Sequence, residues 1–369
     1  MQINTSFLKL GKKNSNKNTL PTGSGQSLGI DINDNAICMV LLNAKNLNQI
    51  RLEKYTVVPL PRNTVASGNV DNYDELVAYL QQAKQKLGSN AKNITAAISR
   101  KQANISTLYF DEEHSELNLE EFVEMEASNV GIDNLRYDYA QLLSLGTEPN
   151  ILLSCCNSEV VDSRTDALSA AGFTPDLMDI DLFALVNAFS VWINNENPAL
   201  SGKTLALFNV ERYSTQAVIT YQGRILFEQE IALGREYQVQ AVQRQYQLSE
   251  TDAIHLIQSD NQPDDFHETI AVAFQNQLVQ EIQRFFQFYQ TADSKEDPRN
   301  IEYILISGCS SSGAFGLSDL IQEKTNINAE QINPAETAQP ISKINETQLM
   351  YDINELAVAF GLAIRGLLK

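Results

Sequence analysis

The chain has 369 residues, a formal net charge of −19 and 43% hydrophobic residues. This length predicts two domains, or one large two-lobed domain, with a core that needs no disulfide staples. The acidic charge argues against nucleic-acid binding, which requires a basic face. Four cysteines without CxxC spacing and three histidines predict buried free thiols in a reducing compartment rather than a zinc site.

The N-terminal tail, residues 1–26, is basic and polar. Its four lysines and its lack of acids leave a formal charge of about −23 on the rest of the chain. Its Asn, Ser, Gly and Lys content predicts disorder, and it lacks the apolar stretch of a signal peptide. A plain linker and a weak contact with anionic lipid stay open as interpretations. No stretch approaches the ~18 apolar residues that predict a membrane span.

The first hundred residues predict the element order β-β-β-α-β. Residues 27–42 are typical of two strands around a polar turn, and a third strand follows up to Pro59. A helix with one apolar stripe then begins after Asp71, the expected N-cap, and ends at Gly88. Residues 93–98 predict a short buried strand.

Residues 103–175 predict a compact α+β insert of the size of a small domain. Strand patterns alternate there with an acidic helix over 118–128 and with a second helix that ends at Gly172. The acidic helix also carries apolar residues that do not fit one narrow stripe, namely Leu119, Phe122, Val123 and Met125. We therefore expect part of its apolar surface to remain for a partner.

The three-strand pattern of the opening recurs at 204–232, where Asn209 stands at the position of Asp31. This pseudo-repeat predicts two lobes of similar construction. The predicted division is a disordered tail (1–26), a first lobe (27–102, 176–199 and 340–369), the insert (103–175), a second lobe (200–234 and 301–339) and its helical part (235–300).

Several segments together resemble the PilM type of type IV pilus assembly proteins, which are relatives of the division protein FtsA. They include LGIDINDNAICMVLL, ALGREYQVQAVQRQYQLSETDA and YILISGCSSSGAFGLSDLIQEKTNI. The resemblance covers roughly residues 27–369 and also suits the PilM-like component of an MSHA-type pilus. It implies a two-lobed α/β fold of the actin-like type, which hexokinase shares, with an FtsA/PilM-like small α+β insert domain.

The resemblance implies ATP and Mg²⁺ as ligands of a cleft between the lobes. Asp31 would stand near the metal and the phosphates. The other positions that match nucleotide-contacting positions of the family are Asn33 in the first phosphate turn, Asn209 in the second, Gly308 and Gly313 in the adenosine motif, and Glu281 and Arg284 on the adenine side.

The phosphate turns depart from the family pattern. The first turn carries Asn33, Asp34 and Asn35 instead of glycine and serine, and Asn209 replaces an acid. A purely structural hairpin, stabilised by bonds from Asn and Asp side chains to the backbone, is one interpretation. Residual nucleotide binding is the second, and efficient hydrolysis is the third. We expect weak Mg²⁺-dependent ATP binding with negligible turnover, hence no catalytic residue and no enzyme.

The glycines and the charged pair also have structural interpretations. Gly308 and Gly313 suit a strand–helix turn with or without a ligand. Glu281 and Arg284, three residues apart, suit a pair on the surface of a helix.

The resemblance implies a cytoplasmic adaptor at the inner-membrane face. It would bind the N-terminal peptide of a PilN-like bitopic membrane protein between residues 103–175 and 27–102, communicate with the assembly motor, and form homo-oligomers. An active ATPase or small-molecule kinase of the same superfold is an alternative. An FtsA-like filament protein is the other alternative.

Overall fold

The computed structural model describes residues 24–111, 115–142, 150–259, 261–292, 299–309 and 311–368. The chain forms two compact units. Among the described residues, the first lies within 24–191, 337–344 and 358–368, and the second within 192–336 and 345–357. Residues 192–199 and 345–357, predicted in the first lobe, thus belong to the second unit, and residues 337–339, predicted in the second lobe, belong to the first. The other predicted domain boundaries stay predictions.

The chain alternates short strands with helices throughout. The strands are β1 (Gly25–Ile32), β2 (Ala36–Asn46), β3 (Gln49–Pro59), β4 (Val65–Ala66), β5 (Asn69–Val70), β6 (Ile94–Ile98), β7 (Ala103–Leu108), β8 (Leu135–Gln141), β9 (Ile151–Asn157), β10 (Leu177–Ile180), β11 (Thr204–Val210), β12 (Thr215–Tyr221), β13 (Arg224–Ile231), β14 (Tyr303–Ser307), β15 (Ala329–Gln331) and β16 (Gln339–Pro340). The helices are α1 (Tyr73–Leu87), α2 (Leu119–Asn129), α3 (Ser158–Ala170), α4 (Asp181–Glu196), α5 (Glu236–Tyr246), α6 (Glu250–Gln258), α7 (Val272–Ala292), α8 (Ser311–Ala314), α9 (Leu317–Thr325), α10 (Glu346–Asp352) and α11 (Ala357–Leu367). Within the described part of the chain, none of the helices combines the length and the apolar character that a bilayer crossing needs.

The first unit is organised around a sheet of order β10-β6-β1-β2-β3-β16. β1 pairs antiparallel with β2 and parallel with β6. The tail boundary predicted at residue 26 is wrong, because Gly25 and Gln26 already pair with Ala44 and Asn43 in this ladder. Residues 1–23, which make up most of the predicted tail, lie outside the described residues.

Helix α1 forms where the apolar stripe predicted it. It buries Leu76, Leu80, Ala83 and Leu87. Its N-cap is Asn72, whose side chain accepts a hydrogen bond from the Glu75 N–H, and not Asp71 as predicted. Both residue types are good N-caps, so the local sequence did not distinguish the two neighbours.

The helix α11 closes the first unit by packing against α4. A Cβ on Gly361 would lie 1.8 Å from the Ala184 carbonyl oxygen, closer than any side chain tolerates. The glycine therefore sets how near the two helices can come.

The insert has its own three-stranded sheet, of order β7-β9-β8. α2 covers it and contributes Val123 and Ala127 to a small apolar core with Ile151, Leu153 and Cys155. A capping box between Asn118 and Glu121 begins this helix, which lies within one residue of its predicted start and end. The α+β character expected for this segment is confirmed.

The second unit repeats the strand order of the first. Its sheet runs β13-β12-β11-β14-β15, and the first sheet has β3-β2-β1-β6-β10 at the same places. Asp31 pairs with Cys38 and Asn209 with Gln216, in each case one pair before the ladder ends at the turn. The predicted pseudo-repeat and the equivalence of these two residues are confirmed.

The four cysteines are buried and free, as predicted. Burial raises the pKa of the Cys155 thiol to about 11 and that of Cys309 to about 12. These thiols therefore stay protonated near neutral pH and act as small apolar core residues.

Candidate functional site

The opening turn, residues 33–35, is closed by its own asparagine. Asn33 Oδ1 accepts hydrogen bonds from the N–H groups of Asn35 and Ala36, each at 2.9 Å. Asn33 Nδ2 donates to Asp31 Oδ2, also at 2.9 Å, and the Asp31 side chain is buried. The turn thus has the side-chain-to-backbone bonds expected of a structural hairpin.

Asp34 ties this turn to the neighbouring β4–β5 hairpin. Its carboxylate accepts hydrogen bonds from the N–H groups of Ser67 at 2.9 Å and Gly68 at 3.3 Å. Asp34 would add a negative charge beside any phosphate that is bound at this turn. The structure gives that charge backbone donors in the protein itself.

Arg164, on α3, binds the backbone at the same two turns. Its guanidinium donates to the Ile32 carbonyl at 2.9 Å and to the Gly68 carbonyl at 2.8 Å, and the residue is 1% exposed. Burial lowers the pKa of Arg164, while the negative charges of Asp31, Asp181 and Asp34 act in the opposite direction. Sequence reasoning missed this residue.

In the second unit, Asn209, the counterpart of Asp31, is hydrogen-bonded at both ends of its amide. Its Oδ1 accepts from the Ser307 hydroxyl at 2.7 Å, and its Nδ2 donates to Glu211 Oε1 at 3.1 Å. The side chain is 4% exposed. A carboxylate at this position would lose the donor to Glu211 and repel it.

Gly308 follows β14 beside this pair. Its φ is +83°, and a Cβ there would lie 2.3 Å from the Val210 carbonyl oxygen. Its own carbonyl accepts a hydrogen bond from Arg235 Nη1 at 3.1 Å, and Arg235 also pairs with Glu355. The turn therefore requires glycine for structural reasons alone.

Gly313 lies in the short helix α8, whose C-terminal end is held by a buried amide. Gln275, 4% exposed, donates to the carbonyls of Gly313 at 3.1 Å and Phe315 at 2.7 Å. The Phe315 side chain is 74% exposed, and the ring of His267 meets it edge-on with 5.6 Å between centroids. An exposed aromatic ring on a fixed loop can stack on a flat ligand.

Glu281 and Arg284 form an ion pair along α7. Arg284 Nη1 lies 2.7 and 2.9 Å from the two Glu281 carboxylate oxygens, and the Arg284 side chain is 57% exposed. This geometry is that of an i,i+3 pair on a helix surface. A contact with adenine or ribose stays a prediction.

A cavity of about 100 Å³ lies among α5, α6 and α10 of the second unit. Arg212 at its edge pairs with Glu236 at 2.7 Å and with Glu250 at 2.9 Å. The cavity lining consists of Arg212, Arg235, Gln238, Val239, Ile254, Ile257, Gln258, Met350, Tyr351, Asn354 and Glu355. None of these described lining residues was a predicted site residue, although Arg235 contacts the predicted Gly308.

The structure thus brings together Asp31 with Asn33, and Asn209 with Gly308 through Ser307. Gly313 and the Glu281–Arg284 pair are held in separate local networks of the second unit. Over the described residues, no group of three or more His, Cys, Asp or Glu side chains is placed to hold a metal ion. Asp31 is the one carboxylate predicted for Mg²⁺, which commonly takes one or two carboxylates besides phosphate oxygens and water.

Comparisons with known proteins agree on family and fold. The family model described as type IV pilus assembly protein PilM matches residues 29–367. A solved structure described as a PilM–PilN type IV pilus biogenesis complex is similar, with a TM-score of 0.73 and 20% identity over 92% of this chain and 98% of that chain. The ethanolamine utilization protein EutJ from Carboxydothermus hydrogenoformans is also similar, with a TM-score of 0.53 and 10% identity over 93% and 91% of the two chains.

At these identities the likeness to solved structures concerns the fold, whereas the family model spans nearly the whole described chain. The duplicated sheet, the α+β insert and the matched segment point to one conclusion. The chain has the actin-like α/β fold and belongs to the type IV pilus assembly protein PilM family.

Proposed function

We propose that this chain is an adaptor of a type IV pilus assembly platform at the cytoplasmic face of the inner membrane. It binds the N-terminal peptide of a PilN-like membrane protein, and it binds ATP weakly without turning it over. Family membership and the fold shared with a PilM–PilN complex support the assembly role.

The observation that carries the adaptor role over an enzymatic one is the state of Asn209. A carboxylate near the second phosphate turn would help to orient Mg²⁺ or an attacking water. Asn209 is neutral, buried and bonded to Ser307 and Glu211. The ATPase and kinase alternatives require a charge that this position lacks.

The insert supplies the surface for the peptide. β7 is an edge strand of the sheet β7-β9-β8, and the chain enters it directly from the 27–102 region. An extended peptide that pairs with such an edge gains main-chain hydrogen bonds and places alternate side chains in neighbouring pockets. Tyr109, which follows β7, is 43% exposed and offers an apolar contact there.

Isothermal titration with a synthetic N-terminal PilN-like peptide tests this role. We expect Tyr109→Ala to weaken peptide binding at least about tenfold, as the loss of an aromatic anchor does. Tyr213→Ala, a similarly exposed tyrosine (39%) of the second unit, is the matched control and should bind as the wild type does. Equal affinities in all three proteins would contradict the peptide site.

A chain that begins at residue 24 keeps the whole of β1 and removes the basic tail. We expect it to retain the peptide in the same titration, because the proposed surface lies in residues 27–175. Loss of the peptide on this truncation would assign binding to the tail.

The proposed weak binding of ATP is supported by the exposed ring of Phe315 and by the cavity of the second unit. The cavity, at about 100 Å³, is smaller than the ~300–1,000 Å³ typical of ligand pockets, which favours weak binding. We expect magnesium-dependent heat with ATP at millimolar concentration, further reduced in Phe315→Ala. Absence of heat rejects binding, and turnover of about 1 per second or faster rejects the adaptor-only mechanism.

A further inference from the structure

Several elements of the first unit begin or end together at one end of its six-stranded sheet. β1 begins at Gly25, which pairs with Ala44 near the end of β2. The Asn93 side chain, which directly precedes β6, donates to the Gln26 carbonyl at 3.3 Å and to the Gly366 carbonyl of α11 at 2.8 Å. Because only a short loop separates α1 from β6, the C-terminal end of α1 lies at this end of the sheet as well.

This end of the sheet is rich in lysine, in contrast to the acidic chain as a whole. Its lysines lie in β2, in β3, in the last turn of α1 and in the loop before β6, and we refer to them as the lysine end: Lys45, Lys54, Lys84, Lys86 and Lys92. Lys54 reaches the end of α1 by donating to the Gly88 carbonyl. Residues 1–23 contain four further lysines and lead into β1, which begins here. The chain has a formal net charge of −19, so the lysine end is a local reversal of sign.

Structural roles account for only part of the lysine end. Cations in the last turn of a helix stabilise it through the helix dipole, which explains Lys84 and Lys86. Lys54 and Lys84 also donate to backbone carbonyls. The helix dipole explains neither Lys45, at the end of β2, nor Lys92, in a loop, and both residues are exposed. These two lysines and the exposed Lys86 therefore present positive charge at the surface.

Two carboxylates at this end have hydrogen-bond donors in the protein itself. Glu53 accepts from the side-chain amides of Gln26 at 2.5 Å and of Asn43 at 2.7 Å. Asp176 accepts from the Ile94 N–H at 3.0 Å. The five lysines outnumber these two carboxylates, and the hydrogen bonds offset part of the negative charge. The lysine end therefore attracts anions.

A cavity of about 270 Å³ lies within the lysine end. Its lining includes the amines of Lys84 and Lys92, the hydroxyl of Ser89 and the apolar side chains of Leu28 and Phe173. Ammonium groups form strong, charge-assisted hydrogen bonds with phosphate oxygens. The cavity is just below the ~300–1,000 Å³ typical of sites for whole small molecules, so it suits one phosphate group beside apolar surface. A phospholipid headgroup combines such a charge with adjoining apolar groups.

We propose that the lysine end docks on a bilayer of anionic phospholipid, and that the cavity takes the phosphate of one lipid. The inference goes beyond the proposed function, because a chain that is held by a peptide need not touch lipid. Only the choice of a bilayer over other polyanions rests on the proposed function, which places the chain at the inner membrane.

The charge of the whole chain makes this docking depend on orientation. An anionic surface repels a chain of net charge −19. At physiological ionic strength, charges more than ~8 Å apart are largely screened, so the groups nearest to the lipid decide the interaction. Binding therefore requires that the lysine end face the bilayer.

Flotation of the full-length chain with vesicles, without peptide or nucleotide, tests the docking. Vesicles of phosphatidylglycerol and phosphatidylcholine should bind the wild type at low salt and release it at high salt. A lysine near an anionic leaflet contributes about fivefold to the binding constant, so Lys45→Gln/Lys86→Gln should bind about 25-fold more weakly. Lys203→Gln/Lys324→Gln in the second unit removes the same charge and should bind as the wild type does.

Single variants separate the cavity from the surrounding surface. Lys45→Gln should lose about fivefold in affinity for the same vesicles. Lys92→Gln should lose at least about tenfold, because it also removes a hydrogen bond to the lipid phosphate. Equal losses would contradict occupation of the cavity by a lipid.

Three outcomes overturn the docking surface: no binding of the wild type to anionic vesicles, equal binding to pure phosphatidylcholine, and equal effects of the two double variants. The last outcome would show an effect of net charge alone. Binding that Lys45→Gln/Lys86→Gln leaves unchanged would assign the lipid contact to the tail and overturn the inference too. Because no peptide is present, failure here leaves the peptide titration, and with it the proposed function, intact.

Discussion

At the scale of single residues, Asn209 decides the charge and the hydrogen bonding at the end of β11. An amide at this position satisfies both Ser307 and Glu211, whereas a carboxylate satisfies only the first. The same position in the first sheet holds Asp31, whose carboxylate accepts from Asn33. The second-last strand residue therefore differs between the two halves of the pseudo-repeat: it is a carboxylate in the first and a neutral amide in the second.

Asn209→Asp should lower the free energy of unfolding by about 1–3 kcal/mol at pH 7, because it places a buried carboxylate in contact with the half-buried carboxylate of Glu211. If the turn faces a nucleotide, Mg²⁺-ATP should recover part of this loss and bind more tightly than to the wild type. Thermal unfolding with Mg²⁺-ATP and with EDTA measures both effects.

Asn209→Ala is the control for this experiment, since it removes the same hydrogen bonds without adding a charge. It should be destabilised and should not respond to Mg²⁺. A response to Mg²⁺ that is equal in both variants would show that the second turn has no part in metal binding.

Asp179 makes the stability of the first unit depend on pH. It is 1% exposed, and burial raises its pKa to about 6 even though Arg365 Nε lies 3.6 Å from its carboxylate. A raised pKa means that the folded state binds the proton more tightly than the unfolded state does. The destabilising contribution is therefore absent below pH 4 and complete above pH 6.

Asp179→Asn removes this titration. Relative to the wild type, the variant should gain up to about 3 kcal/mol in unfolding free energy between pH 4 and pH 7. Urea unfolding at both pH values measures the difference. The same wild-type-to-variant difference at both values would contradict the raised pKa.

At the scale of elements, the packing of α11 on α4 depends on the missing side chain of Gly361. Gly361→Ala places a methyl group 1.8 Å from the Ala184 carbonyl, so that one helix must shift. Overpacking of this kind costs about 1–3 kcal/mol. Gly202→Ala, where a Cβ meets nothing within 4 Å, should leave the unfolding midpoint nearly unchanged.

The elements themselves were largely predictable from the sequence, because their patterns are local. The apolar stripe of α1 predicted the helix, and the repeated three-strand pattern predicted three strands of each sheet, with Asn209 at the position equivalent to Asp31. Asp71 and Asn72 are both favourable N-cap residues for α1, and the prediction chose the wrong one. The glycines of the candidate site were found, but their hydrogen-bond partners were not.

At the scale of the whole molecule, the missed features all depend on partners far away in the chain. The residues around Arg164 form a polar helix pattern that does not indicate a buried arginine. Its hydrogen-bond acceptors, the carbonyls of Ile32 and Gly68, are distant in the sequence. The assignment of residues 345–357 to the second unit is equally non-local. Long-range contacts of this kind depend on the folded arrangement of the chain, and the periodicity of apolar residues in the sequence does not predict them.

Removal of residues 357–369 tests the role of the last segment in the first unit. Without α11, the faces of β1 and α4 that it covers are exposed. We expect the amides of β1 and β6 to lose exchange protection, whereas those of β11 and β14 in the second unit keep most of theirs. Retained protection in β1 and β6 would contradict this assignment.

The return of the chain to its first unit also affects the order of events during synthesis. Domains generally fold as units while the ribosome is still adding residues, the N-terminal one first. Here the Asn93 side chain donates to the Gly366 carbonyl, which is synthesised 273 residues later. All strands of the second sheet, by contrast, have been synthesised once the chain reaches Gln331. On the ribosome, the half of the protein that is made first is therefore the last to be finished.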